Sequence, residues 1–470
     1  MFVEPPKDYW FVMGEYLPPP YGVLQLAAFL ENKNSDTQIQ VVDCNAEGLD
    51  WNGLKKRMEA FNPDVVASSA LATCNTYVAV RTLELAKQVN PNVVTVTGGQ
   101  HFTVLAEESL RTYPEIDVIV RGEGEETLSE LTKMVAEGKP FSGVKGVSYR
   151  NNGQIRHNES RPLIENLDSL PFPGYKFVEN LVQKYHFTGM AGNNRYALIE
   201  ASRGCPHQCT FCTQWRHWES RWRLKSAKRV ADEFEFCYND YGSRFLWLTD
   251  DNYGLGKQAN DLANELISRR FSDDMTWFMQ VRCDDVVKHA DVLPKMRKAG
   301  LRWVLLGVES NSSATLDTFQ KQTTPDDAKK AIKLLKKNDI FSQGMFIIGQ
   351  RKDTKQSIAG LRDYVNELDP DLAIFAILTP FPGTAVYQQA KQNGWIQDNN
   401  WANYDMVHAV MPTETLTTKE VQEELYNCYR SFFGSWNRRI GGVFSRKALK
   451  RRLYMYMASQ GIVNQVKALF

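Results

Sequence analysis

Three cysteines are the residues best placed to do chemistry in this chain. Cys205, Cys209 and Cys212 stand in a C-x3-C-x2-C spacing within Ala201-Ser202-Arg203-Gly204-Cys205-Pro206-His207-Gln208-Cys209-Thr210-Phe211-Cys212. Three thiolates on one short loop can take three corners of a 4Fe–4S cube and leave the fourth iron without a protein ligand. An open iron is a place for chemistry, whereas a fully ligated cluster mainly carries electrons. The alternative is a zinc loop. Structural zinc wants four ligands, usually in paired C-x2-C units. His207 or His217 could complete such a set, but no second cysteine pair follows. The spacing favours the cluster. The apolar run at 196–199 reads as a strand, so the cysteines occupy the loop leaving its C-terminal end.

That strand opens a series. Apolar runs at 245–248, 277–281, 303–307, 344–348 and 372–377 alternate with stretches of helical spacing at 227–241, 287–299, 325–337 and 355–367. Six parallel strands predict a partial (β/α)6 barrel, with reactive groups at the strands' C-terminal ends. Asp250, Asp251 and Asn252 follow the second strand, Arg282 the third and Glu309 the fourth. Gln350 and Arg351 follow the fifth, and 379–384 (TPFPGT) the sixth. Carboxylates, amides and arginine around one mouth can hold a zwitterionic cofactor. Each alone fits a helix N-cap or a surface ion pair equally well. Trp215, Trp218 and Trp222 recur at intervals of three and four, the spacing of a helix face packed on a core. A wall against substrate or cofactor is the other reading.

Ahead of the barrel, strands and helices also alternate, which predicts a parallel, doubly wound, Rossmann-like sheet over 1–142. Ligands of such sheets sit outside the strands' carboxyl ends. The turns there are small and polar. They carry Asp43 and Asn45, then Ser68, Ser69 and Thr73, then Gly98, Gly99 and Gln100, then Gly122, Glu123 and Gly124. Glycine lets backbone approach a ligand closely, so the set suits a phosphate-bearing or amide-rich tail. No G-x-G-x-x-G opens a helix after the first strand, which argues against a nicotinamide cofactor. Residues 143–190 read as a linker with a small hairpin around Asn152-Gly153. The barrel then spans 191–384 and a helical segment 385–470.

The C-x3-C-x2-C motif with Phe211 before its last cysteine resembles the radical SAM superfamily. The turns Asp43-Cys44-Asn45-Ala46-Glu47-Gly48, Gly98-Gly99-Gln100-His101 and Arg121-Gly122-Glu123-Gly124-Glu125 resemble the cobalamin-binding domain that precedes many radical SAM cores, without its D-x-H-x-x-G ligand motif. Thr213-Gln214-Trp215-Arg216-His217-Trp218, Phe319-Gln320-Lys321-Gln322-Thr323-Thr324 and Thr379-Pro380-Phe381-Pro382 are similar to segments of the anaerobic magnesium-protoporphyrin monomethyl ester cyclase group. Thr249-Asp250-Asp251-Asn252-Tyr253-Gly254 departs from that group's more acidic sequence. The resemblance implies that Cys205, Cys209 and Cys212 ligate the cluster. It implies that Asp250, Asp251, Asn252, Arg282 and Glu309 contact S-adenosylmethionine, and that the N-terminal turns hold cobalamin. A reduced cluster would cleave S-adenosylmethionine, and the 5′-deoxyadenosyl radical would attack an unactivated carbon, by methyl transfer or oxidative ring formation. A flavodoxin or ferredoxin is the implied reductant, and a tetrapyrrole or lipid-like molecule the implied substrate. A non-catalytic cobalamin sensor or carrier would leave the cysteine loop unexplained.

The 470 residues carry a net charge of +1, so no global field points to nucleic acid. The N-terminus has no basic start and apolar core, and no apolar run reaches the roughly 18–20 residues of a membrane span. Five of the eight cysteines are scattered, as expected of buried thiols in a reducing cytoplasm. The basic, amphipathic stretch 438–454 reads as the solvated face of a capping helix, with contact to an anionic membrane as the alternative.

Overall fold

The structure is a computed structural model that describes residues 1–7, 16–192, 194–270 and 274–467, with side chains through residue 460. Its first sheet comprises β1 (Phe2–Glu4), β2 (Val41–Asp43), β3 (Val65–Ala67), β4 (Val94–Thr97), β5 (Val118–Val120), β6 (Val147–Asn151) and β7 (Gln154–His157). The spatial order is β2-β1-β3-β4-β5-β6-β7. The first five run parallel, with helices such as Tyr21–Lys33 and Thr76–Val89 crossing between them. Two findings depart from the sequence reading. β1 lies between β2 and β3, yet its apolar run is cut off after Val3 by Glu4, Pro5 and Pro6. The hairpin expected in a linker is β6 and β7. Val118 pairs antiparallel with Tyr149, and Val147, Ser148 and Tyr149 are buried. The first sheet therefore continues to His157.

The second sheet consists of β8 (Tyr196–Ile199), β9 (Phe245–Leu248), β10 (Thr276–Arg282), β11 (Leu301–Glu309), β12 (Phe341–Ile348) and β13 (Leu372–Ile377), all parallel and in sequential order. β8 and β13 do not pair, so the barrel is an open arc of six strands. The helix expected over 287–299 is broken into Cys283–Lys288, a 3-10 turn and Leu293–Lys298. Pro294 explains the break, because its ring fits only the first turn of a new helix.

Large side chains fill one end of this arc. Tyr196, Phe245, Phe278, Trp303, Phe341 and Leu372, near the strands' N-terminal ends, form a buried cluster with Phe187 and Leu453. Trp303 stacks on Phe278 at 4.0 Å, and Phe278 on Trp247 at 4.8 Å. Helix Ala448–Lys467 covers this end through Leu449, Leu453 and Met457, with Trp436–Val443 packed on it, while Thr418–Phe433 runs along β13 and reaches the cluster through Phe433. Lys447 and Lys450 hold Asp371, just before β13, at 2.7 and 3.2 Å. The filled end leaves the opposite, C-terminal end as the mouth. Among the described residues no helix is long and apolar enough to cross a membrane.

Candidate active site

The cysteine loop is an excursion tied at its neck. Ser202-Arg203 pairs antiparallel with Arg223-Leu224, so 204–222 project as one loop at the end of β8. Gly204 sits at φ +93, where a Cβ would overlap the Arg221 carbonyl oxygen; only glycine fits this neck. On the far side the Thr210 N–H donates to the Phe319 carbonyl at 3.0 Å, and Phe211 meets the Phe319 ring edge-on at 5.0 Å. The Trp215 indole donates to the Cys209 carbonyl at 3.0 Å. Cys205, Cys209 and Cys212 are free thiols. Burial pushes all three up, Cys212 to about 12, so iron would have to draw off their protons. Against that burial, the charges of Lys321 and Arg282 favour the Cys209 thiolate. Three thiols on one loop beside two cations fit an anionic iron–sulfur cluster. Among the described residues no three His, Cys, Asp or Glu side chains gather around a single metal ion. A cube needs no such point, since each thiolate meets its own iron.

Around the mouth, Asp250 Oδ2 accepts from the Ala201 N–H at 3.2 Å, while its Oδ1 is buried without a well-formed hydrogen bond, the Ser202 hydroxyl interacting with the carboxylate. Asp251 accepts from the Trp218 indole at 3.1 Å. Burial pushes both carboxyls up to about 7. Asn252 Oδ1 is buried and unpaired. Unsatisfied buried acceptors are costly, and a ligand amine or hydroxyl would satisfy them. Glu309 lies at φ +66 beside a β-bulge and accepts from Lys321 at 2.7 Å. A Cβ on Gly307 would fall 2.6 Å from both charged groups, so this glycine makes room for the pair. Burial opposes the Lys321 charge, but Glu309 and Cys209 together outweigh it and hold its pKa above the ordinary value.

The two domains are joined through buried ions. Arg203 donates to Glu123 at 2.7 Å, to Glu125 at 2.6 Å and to Glu200 at 2.9 Å. Arg223 holds both Glu123 oxygens at 3.0–3.1 Å. Trp218 lies under both guanidinium groups, at 5.9 and 5.4 Å. Past the cysteines, Gln100 accepts from Thr213 at 2.7 Å and donates to Gln214 at 2.6 Å. The cysteine loop is thus anchored to the N-terminal domain on both flanks.

Several expected site residues have other work. Asp43 caps the helix Cys44–Glu47, accepting from Ala46 N–H at 3.1 Å and from the Tyr185 hydroxyl at 3.1 Å. Both Glu123 oxygens are taken by the arginines and the Ile164 N–H. Arg282 pairs with Asp284 at 2.9 Å and grips the Lys321 carbonyl, holding the loop that carries Lys321 rather than presenting a free guanidinium. Asn45 bonds Pro5 and Lys7 backbone atoms, and Thr73 gives its carbonyl to Thr76. The helix face expected of the tryptophans does not form. Helix Gln214–His217 has four residues, and positive φ at Glu219 and Ser220 turns the chain before Trp222. Ser68, Ser69, Gly98, Gly99, Gly122 and Gly124 do lie at the ends of β3, β4 and β5. Gly99, at φ +90, lies so close to Ala70 that a Cβ would meet its carbonyl at 2.5 Å. The Ser68 and Thr97 hydroxyls are buried without partners there, which fits a polar ligand tail. Thr97, Glu125, Arg203, Gln214 and Lys321 escaped the sequence reading. Arg203 had a signal, a charged residue two positions before the first cysteine; Lys321 lay in a recognised segment but had no assigned role.

Comparisons with known proteins give the family of each domain. The B12 binding domain family matches residues 13–132, and the Radical SAM superfamily matches 199–365. A Pyrococcus horikoshii protein described as an uncharacterized methyltransferase is 32% identical over 416 residues, 88% of each chain. The anaerobic magnesium-protoporphyrin IX monomethyl ester cyclase of Cereibacter sphaeroides is 33% identical over 420 residues, 88% of this chain and 67% of that one. The radical S-adenosylmethionine methyltransferase TsrM from Kitasatospora setae, solved with cobalamin and a 4Fe–4S cluster, shares the fold at a TM-score of 0.73 and 15% identity, covering 100% of this chain and 99% of that one.

Proposed function

This chain belongs to the B12-binding radical SAM enzymes, the family of methyltransferases and anaerobic cyclases, and from that we propose that it functionalises an unactivated carbon of an apolar substrate, tetrapyrrole or lipid-like, at the mouth of the six-strand arc. The observation that carries the reading is the double anchoring of the cysteine loop. Arg203 ties it to Glu123 and Glu125, and Thr213 and Gln214 tie it to Gln100, so the cysteine loop is held against the turns at 98–100 and 122–125.

In this reading Cys205, Cys209 and Cys212 hold the cluster. The buried acceptors of Asp250 and Asn252, with Asp251, receive the polar groups of S-adenosylmethionine. Ser68, Thr97 and the turns at Gly98, Gly99, Gly122 and Gly124 receive the cobalamin tail. Bound together, these cofactors supply a hydrogen-abstracting radical and a methyl-carrying or redox-active cobalt. The residues' part is to orient: Glu309 and Lys321 fix the loop behind Cys209, and Trp218 links Asp251 to the Arg203 neck. The electron donor we propose is a flavodoxin or ferredoxin.

Anaerobic turnover of the reconstituted enzyme with candidate tetrapyrroles and isoprenoid lipids tests this. Equal amounts of 5′-deoxyadenosine and S-adenosylhomocysteine place it on the methyl-transfer branch; deoxyadenosine without S-adenosylhomocysteine places it on the ring-forming branch. Full cofactor content with neither product from any apolar substrate would contradict the proposal.

A further inference from the structure

Residues 434–460 hold seven basic side chains, Arg438, Arg439, Arg446, Lys447, Lys450, Arg451 and Arg452, and no Asp or Glu. The structure divides them into two groups. Arg438 pairs with Asp369 at 2.6 Å, Lys447 and Lys450 with Asp371, and Arg452 donates to the Met190 carbonyl at 2.8 Å. Arg439, Arg446 and Arg451 are exposed and have no acidic partner among the described residues. Arg439 and Arg451 are steadied by the Phe433 and Ser445 carbonyls, at 2.6 and 2.8 Å. Beside them Trp436, Ile440 and Phe444 are 72%, 55% and 79% exposed. They fall at i, i+4 and i+8 on the helix Trp436–Val443 and its cap, which makes one stripe. The opposite side of that helix is fixed inward, because Gly442 approaches Tyr454 so closely that a Cβ would overlap its ring.

Scattered apolar side chains on a surface need no explanation, but a contiguous aromatic and aliphatic stripe rimmed by unneutralised arginines does. We propose that this face docks the protein on an anionic lipid surface, with Arg439, Arg446 and Arg451 at the headgroups and Trp436, Ile440 and Phe444 at the acyl boundary. Charge complementarity selects this occupant. A second copy would bring arginines against arginines, with no acidic residue in 434–460 to meet them. The face covers the filled end of the barrel, opposite the mouth, so docking leaves both cofactor loops open to water. The inference rests on charge and exposure and is independent of the catalytic reading.

The test is co-sedimentation of the full-length, cofactor-loaded protein with vesicles of phosphatidylcholine alone and of equal parts phosphatidylcholine and phosphatidylglycerol. Binding to the mixed vesicles is expected to exceed binding to neutral ones by roughly tenfold or more and to fall at high salt. The variant Arg439→Gln/Arg446→Gln/Arg451→Gln should lose about a hundredfold in partitioning, roughly fivefold per arginine. The variant Trp436→Ser/Phe444→Ser should also lose binding. Both change exposed side chains, and an unaltered thermal midpoint confirms their folding. Equal binding to both vesicle types, no binding, or full binding by either variant would overturn the proposal. So would a dimer in light scattering that the same substitutions dissolve.

Discussion

Individual residues in this protein are chosen as much by what surrounds the cysteines as by the cysteines themselves. Gly204 is the sharpest case. A Cβ there meets the Arg221 carbonyl, and φ +93 costs an L side chain about 1–2 kcal/mol before any overlap. Gly204→Ala is predicted to lower iron bound after reconstitution severalfold, with cobalamin content unchanged; metal analysis checks it. Asp43 gives a pH signature. Burial, with Glu4 adding to it, pushes its carboxyl from the ordinary 3.8 up to about 6. A native pKa above the unfolded one means that the folded form holds the proton more tightly. Its contribution is therefore fully present below about pH 4 and is lost as pH rises through 6, by roughly 2–3 kcal/mol. Asp43→Asn removes this titration, so the stability of the cofactor-free variant relative to wild type is predicted to rise between pH 4 and pH 7. Denaturant titrations across that range check the sign.

Among the elements, the ribbon of Ser202-Arg203 with Arg223-Leu224 joins the two domains. Arg203 faces three carboxylates in a buried setting. Removing one partner of such a group leaves uncompensated buried charge, at about 3–5 kcal/mol. Arg203→Met is predicted to lose that much in urea unfolding, and Arg203→Met/Glu125→Gln to recover part of it, because one stranded carboxylate is gone. Long elements with clear periods were legible in the sequence: all six barrel strands and the helices at 227–239, 325–337 and 355–368 lie where the pattern put them. β1 was not legible because its apolar run ends at Val3, before Glu4, Pro5 and Pro6, and the 147–157 hairpin was misplaced because its strong turn signal says nothing about which sheet it joins. The tryptophan spacing looked helical because local period cannot register the positive φ at Glu219 and Ser220. In the candidate site, the cysteine triad and the polar strand ends were legible from type and spacing. Which carboxylates face a ligand and which face an arginine was not, since Glu123 and Arg203 are 80 residues apart in the chain.

At the scale of the molecule, the parallel strands of two sheets are tied to each other through the cysteine loop at their C-terminal ends, while aromatic side chains and helices close the far end of the second. Family membership supplies the cofactors, and the proposed function gives each a separate seat: thiols on one loop, glycine turns on another domain, ion pairs between. That separation is open to a direct test with Cys209→Ala, reconstituted anaerobically beside wild type and assayed for iron, sulfide, cobalamin and 5′-deoxyadenosine. Wild type is predicted to carry about four iron and four sulfide per chain, to bind cobalamin and to form 5′-deoxyadenosine, while Cys209→Ala keeps cobalamin and loses the cleavage product. A Cys209→Ala protein that still cleaves S-adenosylmethionine, or a wild type that takes up zinc without sulfide, would contradict it.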